Sequence, residues 1–104
     1  MFESVKSLFG IDDTNFKSLV LKGAVIVDVR TLTEFEGGHI DGAINIPVDV
    51  IGFKAAILKR LHKPIVTCCR SGARSEMAKN ILKQSGIEAY NGGAWNVLLD
   101  KIHD

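Results

Sequence analysis

The sequence predicts an α/β fold, a central and mostly parallel sheet with helices on both faces, and three observations lead there. Short apolar runs of strand length recur at Ala24 to Val29, Ala43 to Ile46, Pro64 to Cys68 and Ile87 to Tyr90. Between and after them lie segments whose apolar residues repeat at helical spacing, so strand and helix alternate along the chain. The run from Pro64 to Cys68, opened by a proline and ending in turn chemistry, reads as a buried strand, as expected in a mostly parallel sheet with helices on both faces.

The elements follow in order. Phe2, Val5, Leu8 and Phe9 form a one-sided stripe ending at Gly10, which predicts a short helix in an N-terminal extension over residues 1–11. A single lysine decorates that stripe, so packing on the domain is preferred over a membrane surface. The domain proper spans residues 12–104. Asp12 and Asp13 offer N-caps for a helix through Phe16, Leu19 and Val20 to Gly23. The first strand, Ala24 to Val29, carries Asp28 and Arg30 at its end. Thr33 caps a helical turn through Glu34, Phe35 and Glu36, which Gly37-Gly38 stops. Ala43 to Ile46 is a strand closed by Pro47. From Val50 to Leu61 the apolar spacing of Ile51, Ala55, Leu58 and Leu61 predicts a helix with Lys54, Lys59, Arg60 and His62 on or near its other face. After the third strand, Met77, Ala78, Ile81 and Leu82 form one side of a helix that leaves Arg74, Glu76, Lys79 and Lys83 on the other and stops at Ser85-Gly86. Ile87 to Tyr90 and Trp95 to Ile102 supply the last strand and helix.

Composition narrows the function. The chain has 104 residues, enough for one domain with its own core, and contains no repeats, linkers or low-complexity tracts. A net charge of +1 gives no bulk argument for nucleic acid or membrane, so any attraction for anions is local. The two cysteines are adjacent, which excludes a disulfide framework, spaced zinc pairs and a Cys-x-x-Cys redox motif. No secretory signal or membrane-length apolar run is visible, and a reactive free thiol suits a reducing compartment, so a cytoplasmic location is expected.

The chemistry concentrates in Cys68-Cys69-Arg70-Ser71-Gly72-Ala73-Arg74-Ser75. A strand, a glycine-containing loop and a helix N-terminus in succession aim backbone N–H groups inward and add partial positive charge. That arrangement stabilises a thiolate, and Arg70 and Arg74 reinforce it. A cysteine closing a buried strand is by itself only a small hydrophobe, but the flanking glycine and arginines favour a nucleophile. Ligands of open parallel sheets bind beyond the carboxyl ends of the strands, where Cys69, Asp28 and Arg30 all fall. Register decides which thiol reacts. From Cys68, five residues precede Arg74, the Cys-X5-Arg spacing of phosphatase loops; from Cys69, four do, and Gly72 stands third after the thiol.

The other polar residues read more plainly. Asp28 is expected to order a loop by accepting backbone hydrogen bonds, Arg30 to pair with Glu34, His39 to pack in a hydrogen-bonded segment, and Glu76 to complement the helix dipole. Trp95 is read as core or pocket wall, and His62 and His103 as solvent residues. Lys54, Lys59 and Arg60 form a solvated face that could also dock an acidic acceptor protein.

Cys69-Arg70-x-Gly72-x-Arg74 resembles the active loop of rhodanese-like sulfurtransferases. Val27-Asp28-Val29-Arg30 with Glu34-Phe35, Gly38-His39-Ile40-Asp41-Gly42-Ala43-Ile44-Asn45-Ile46-Pro47, and Gly92-Gly93 with Trp95 are similar to that family's other signatures, in the same order from about Asn15 onward. The resemblance implies a rhodanese-like three-layer domain and a thiosulfate sulfurtransferase in which Cys69 carries sulfur as a persulfide, ready for transfer to a thiol or cyanide acceptor. Arg70, Ser71, Gly72, Ala73, Arg74 and Ser75 would then bind the anionic donor, with no organic cofactor, no metal and no nucleic acid, in a monomer. Two alternatives stay open: a phosphatase or arsenate reductase using Cys68, and a sulfur-carrier or anion-binding module without turnover.

Overall fold

The computed structural model describes residues 14–103. The stripe from Phe2 to Phe9, the extension over residues 1–11 and the caps at Asp12 and Asp13 lie outside the described residues. Helix α1 (Phe16–Leu21) leads into β1 (Val25–Asp28), α2 (Leu32–Glu36), β2 (Ile44–Asn45), α3 (Ile51–Lys59), β3 (Ile65–Cys69), α4 (Ala73–Gln84), β4 (Ala89–Ala94) and α5 (Trp95–Ile102). The strands form one sheet in the order β2-β1-β3-β4, and every pairing is parallel.

Strand periodicity sorts the core into two layers, because successive side chains of β3 point to opposite faces. Val27, Ile65 and Cys69 meet Ile51, Ala55 and Leu58 of α3 and Ala78 and Leu82 of α4. Ile26, Val66 and Cys68 meet Phe16 of α1 and Leu98 of α5. The adjacent cysteines therefore belong to different layers. Ile51, Ile65, Leu82 and Leu98 have no exposed surface, and each such aliphatic side chain contributes about 1.5–3 kcal/mol of burial.

Several element ends differ from the sequence expectation for physical reasons. Asn15 caps α1, its side chain accepting the Ser18 N–H at 3.0 Å. Thr31 rather than Thr33 caps α2: its side chain accepts the Glu34 N–H while the Glu34 carboxylate accepts the Thr31 N–H, and the pair closes a capping box. Strand β4 extends through Gly92-Gly93 to Ala94, with a register shift opposite Thr67 to Cys69. Gly92 makes that approach possible: a Cβ there would lie 2.9 Å from the Thr67 carbonyl oxygen.

Candidate active site

Cys69 is the last residue of β3, and α4 begins four residues later. The chain reverses through Gly72, whose φ of +103° is open to glycine and strained for other residues. This turn brings the Gly72 N–H to 2.9 Å from the Cys69 sulfur, with the Ser75 hydroxyl 3.3 Å away. Burial raises the thiol pKa, but hydrogen bonding from the Ser75 hydroxyl and from the backbone N–H groups of Ser75, Gly72 and Ser71 outweighs it, so the net shift is downward. The cradle favours the thiolate.

Cys68 experiences the opposite environment. It is buried in the α1/α5 layer, and burial together with the Asp28 charge pushes its thiol up to about 12. Both cysteines have 0% exposure; Arg70 and Ser71, which follow Cys69, are exposed at the loop surface, and Gly72 is half-buried. Ala73 is exposed beside them, and Ser75 is buried beneath.

Arg74 lies on the first turn of α4, where Glu34 of α2 holds its guanidinium through two bonds of 2.8 and 2.9 Å. That pairing, followed by the Thr31 backbone bond, lowers the Glu34 carboxyl to about 2. The expected Arg30–Glu34 ion pair is therefore replaced. Arg30 instead binds Asp28, with Nη2 at 2.7 Å from Oδ2, and its Nη2 and Nη1 donate to the backbone oxygens of Gly38 and Glu34. Asp28 also accepts the Arg30 N–H at 3.0 Å, the loop-ordering bond its position suggested. The Trp95 ring packs 4.8 Å from the Arg30 guanidinium and against the α1/α5 core layer. His39 stacks on Phe35 with centroids 3.7 Å apart and its Nδ1 lies 2.7 Å from the Phe35 oxygen, a packing role. Glu76 pairs with Lys79.

Asn91 of β4 completes the site and was not singled out by the sequence. Its Oδ1 accepts from the Ser75 hydroxyl at 2.7 Å and the Gly93 N–H at 2.9 Å, while Nδ2 donates to the Gly72 oxygen and Glu76. Thr67 adds a bond from its hydroxyl to the Ser75 oxygen at 2.8 Å. A polar residue beside two glycines was the only signal for Asn91. No group of His, Cys, Asp and Glu that could hold a metal occurs among the described residues, and no described helix is long and apolar enough to cross a membrane. A cleft of about 200 Å³ lined by Lys59, His62, Lys63, Pro64, Gly86, Ile87 and Glu88 lies at the start of β3. Four strand steps, roughly 13 Å, separate that end from Cys69, so the basic end of α3 does not border the thiol.

A family model described as Rhodanese-like domain matches residues 12–97. The chain belongs to the rhodanese-like domain family. Among solved structures, the human single-domain sulfurtransferase TSTD1 is similar at 32% identity and a TM-score of 0.65, with 82% of this chain and 89% of that one covered. Protein YqhL of Bacillus subtilis (strain 168) is 41% identical over 69 residues, 65% of this chain and 54% of that protein. The tRNA sulfurtransferase of Thermoplasma acidophilum is 29% identical over 98 residues, covering 86% of this chain and 19% of that enzyme. This rhodanese-like chain thus spans about half, or less, of the length of these two curated relatives.

Proposed function

We propose that this rhodanese-like domain is a thiosulfate sulfurtransferase that carries sulfane sulfur on Cys69. The observation that carries the reading is the cradle around the Cys69 sulfur, where the Gly72 N–H at 2.9 Å and the Ser75 hydroxyl at 3.3 Å meet the thiol of an anion-binding loop. In the first half-reaction the Cys69 thiolate attacks the outer sulfur of thiosulfate, the sulfur–sulfur bond of the donor breaks, and sulfite leaves with the electron pair. The second attack, by a thiolate or cyanide on the outer sulfur of the persulfide, gives a new persulfide or thiocyanate and regenerates the Cys69 thiolate.

Arg70 and the loop amides from Ser71 to Ser75 hold the anionic donor and solvate the persulfide. Arg74 contributes its charge from a position set by Glu34. Use of Cys68 as a phosphatase nucleophile is disfavoured by its burial in the opposite layer and its raised pKa. Carriage without turnover, the reading of a pure sulfur-carrier module, differs by lacking the second half-reaction. A thiosulfate-to-cyanide assay run beside a phosphatase assay separates the three. Thiocyanate production that disappears in Cys69→Ser is expected; phosphatase turnover, or a persulfide that cyanide cannot discharge, would overturn the reading.

A further inference from the structure

We propose that Asn91 is a positioning residue that restrains ionisation of Cys69 by competing for the single proton of the Ser75 hydroxyl. This inference rests on Cys69 being the reactive thiol. Ser75 has one proton and three acceptors in reach: Asn91 Oδ1 at 2.7 Å, the Gly72 oxygen at 3.1 Å and the Cys69 sulfur at 3.3 Å. With the thiol protonated, S–H donates to the Ser75 oxygen and Ser75 donates to Asn91, satisfying every group. A thiolate reverses the demand. Ser75 must turn its proton to sulfur, which leaves two oxygens 2.7 Å apart with no proton between them.

An amide flip would relieve that contact, but Asn91 is pinned from both ends by groups of fixed polarity. Its Oδ1 holds the Gly93 N–H at 2.9 Å, and its Nδ2 donates to the Gly72 oxygen at 3.2 Å and to Glu76 Oε1 at 3.1 Å. Flipping would lose the first bond and set oxygen against the other two acceptors. These three bonds hold the amide in the orientation that opposes the thiolate.

The charged groups bearing on this cluster are Arg74 and Glu76 of α4, Glu34 of α2 on the guanidinium, Lys79 on Glu76, and Asp28 of β1. Cys68 of β3 and Tyr90 of β4 lie in the opposite layer. Substituting Asn91 changes none of these charges.

The test is the midpoint of the pH–rate profile for Cys69 alkylation by iodoacetamide, measured in the full chain. Asn91→Ala, and Asn91→Leu as the variant of matched size, should each lower the midpoint by about half to one pH unit, the scale of one hydrogen bond redirected to sulfur. Ser75→Ala should raise it by a similar amount, and adding Asn91→Ala to Ser75→Ala should move it no further. An unchanged or raised midpoint in both Asn91 variants overturns the proposal. So does an equal fall with and without Ser75, which would mean that Asn91 acts only through loop structure. The midpoint is read without thiosulfate, so failed sulfur transfer would refute the proposed function and leave this relation to be judged by itself.

Discussion

Replacing Gly92 by alanine tests whether the closeness of β4 to β3 beneath the loop has the energetic weight its geometry implies. The added Cβ would lie 2.8 Å from Leu98 Cδ2, 2.9 Å from Val66 Cγ1 and 2.9 Å from the Thr67 carbonyl oxygen. The leucine tip can rotate away, the β-branched valine has little freedom, and the carbonyl cannot retreat without disturbing β3. Overpacking of this kind costs about 1–3 kcal/mol, and the backbone contact puts Gly92→Ala at the upper end, about 2–3 kcal/mol. For a domain near 100 residues, each kcal/mol lowers Tm by about 4–8 °C, so a fall of at least ~8 °C is expected. Gly37→Ala is the control, since its φ is −76° and the nearest neighbour of its added Cβ, the Glu34 oxygen, would be met at an ordinary 3.4 Å. Thermal unfolding by circular dichroism measures both. The displaced end of β4 carries Asn91, so Gly92→Ala should also slow Cys69 alkylation or shift its pH midpoint. A Tm within ~2 °C of the parent, or equal effects in the two variants, would refute the packing argument.

Three further outcomes follow from the electrostatics. Iodoacetamide at pH between about 6 and 7 should label Cys69 and leave Cys68 unmodified, because the cradle lowers one thiol pKa and burial raises the other to about 12; peptide mapping that finds Cys68 labelled first would reverse the register. Arg74→Ala should raise the Cys69 pKa and lower kcat/KM for thiosulfate roughly tenfold, ~1.4 kcal/mol, with lysine restoring only part because it lacks the planar fork; unchanged kinetics and pKa would show that Arg74 serves only α2. The Glu34 carboxyl is depressed to about 2 in the folded state, against about 4.3 unfolded, so its stabilisation is present above pH ~4.3 and is lost as pH falls toward ~2. The urea-midpoint gap between parent and Glu34→Gln should therefore close across that window, and a gap independent of pH would contradict the pairing.

The order of elements was legible because each signal was local and repeated. Apolar runs marked the buried strands, helical spacing marked α3 to α5, and the Cys69-to-Arg74 loop declared itself through glycine and arginine. The two adjacent thiols part company in the fold, since strand alternation places Cys69 in the α3/α4 layer and Cys68 in the α1/α5 layer. What the sequence concealed depends on distance along the chain. Arg74 and Glu34 lie 40 residues apart, and no spacing rule joins them, whereas the nearer Arg30 offered a plausible but unrealised partner. Asn91 meets Ser75 across 16 residues of chain because β4 pairs with β3, setting Asn91 opposite Thr67. The Thr31–Glu34 capping box is a local motif, but Thr33 offers the same spacing to Glu36, so sequence alone does not choose between the two caps.

Intact-mass analysis after brief exposure to thiosulfate and desalting tests the central claim most directly. The account predicts one added sulfur atom, about 32 Da, mapped to Cys69, removed by cyanide with formation of thiocyanate, retained in Cys68→Ser and absent in Cys69→Ser. An adduct on Cys68, or thiosulfate turnover that persists in Cys69→Ser, would contradict it.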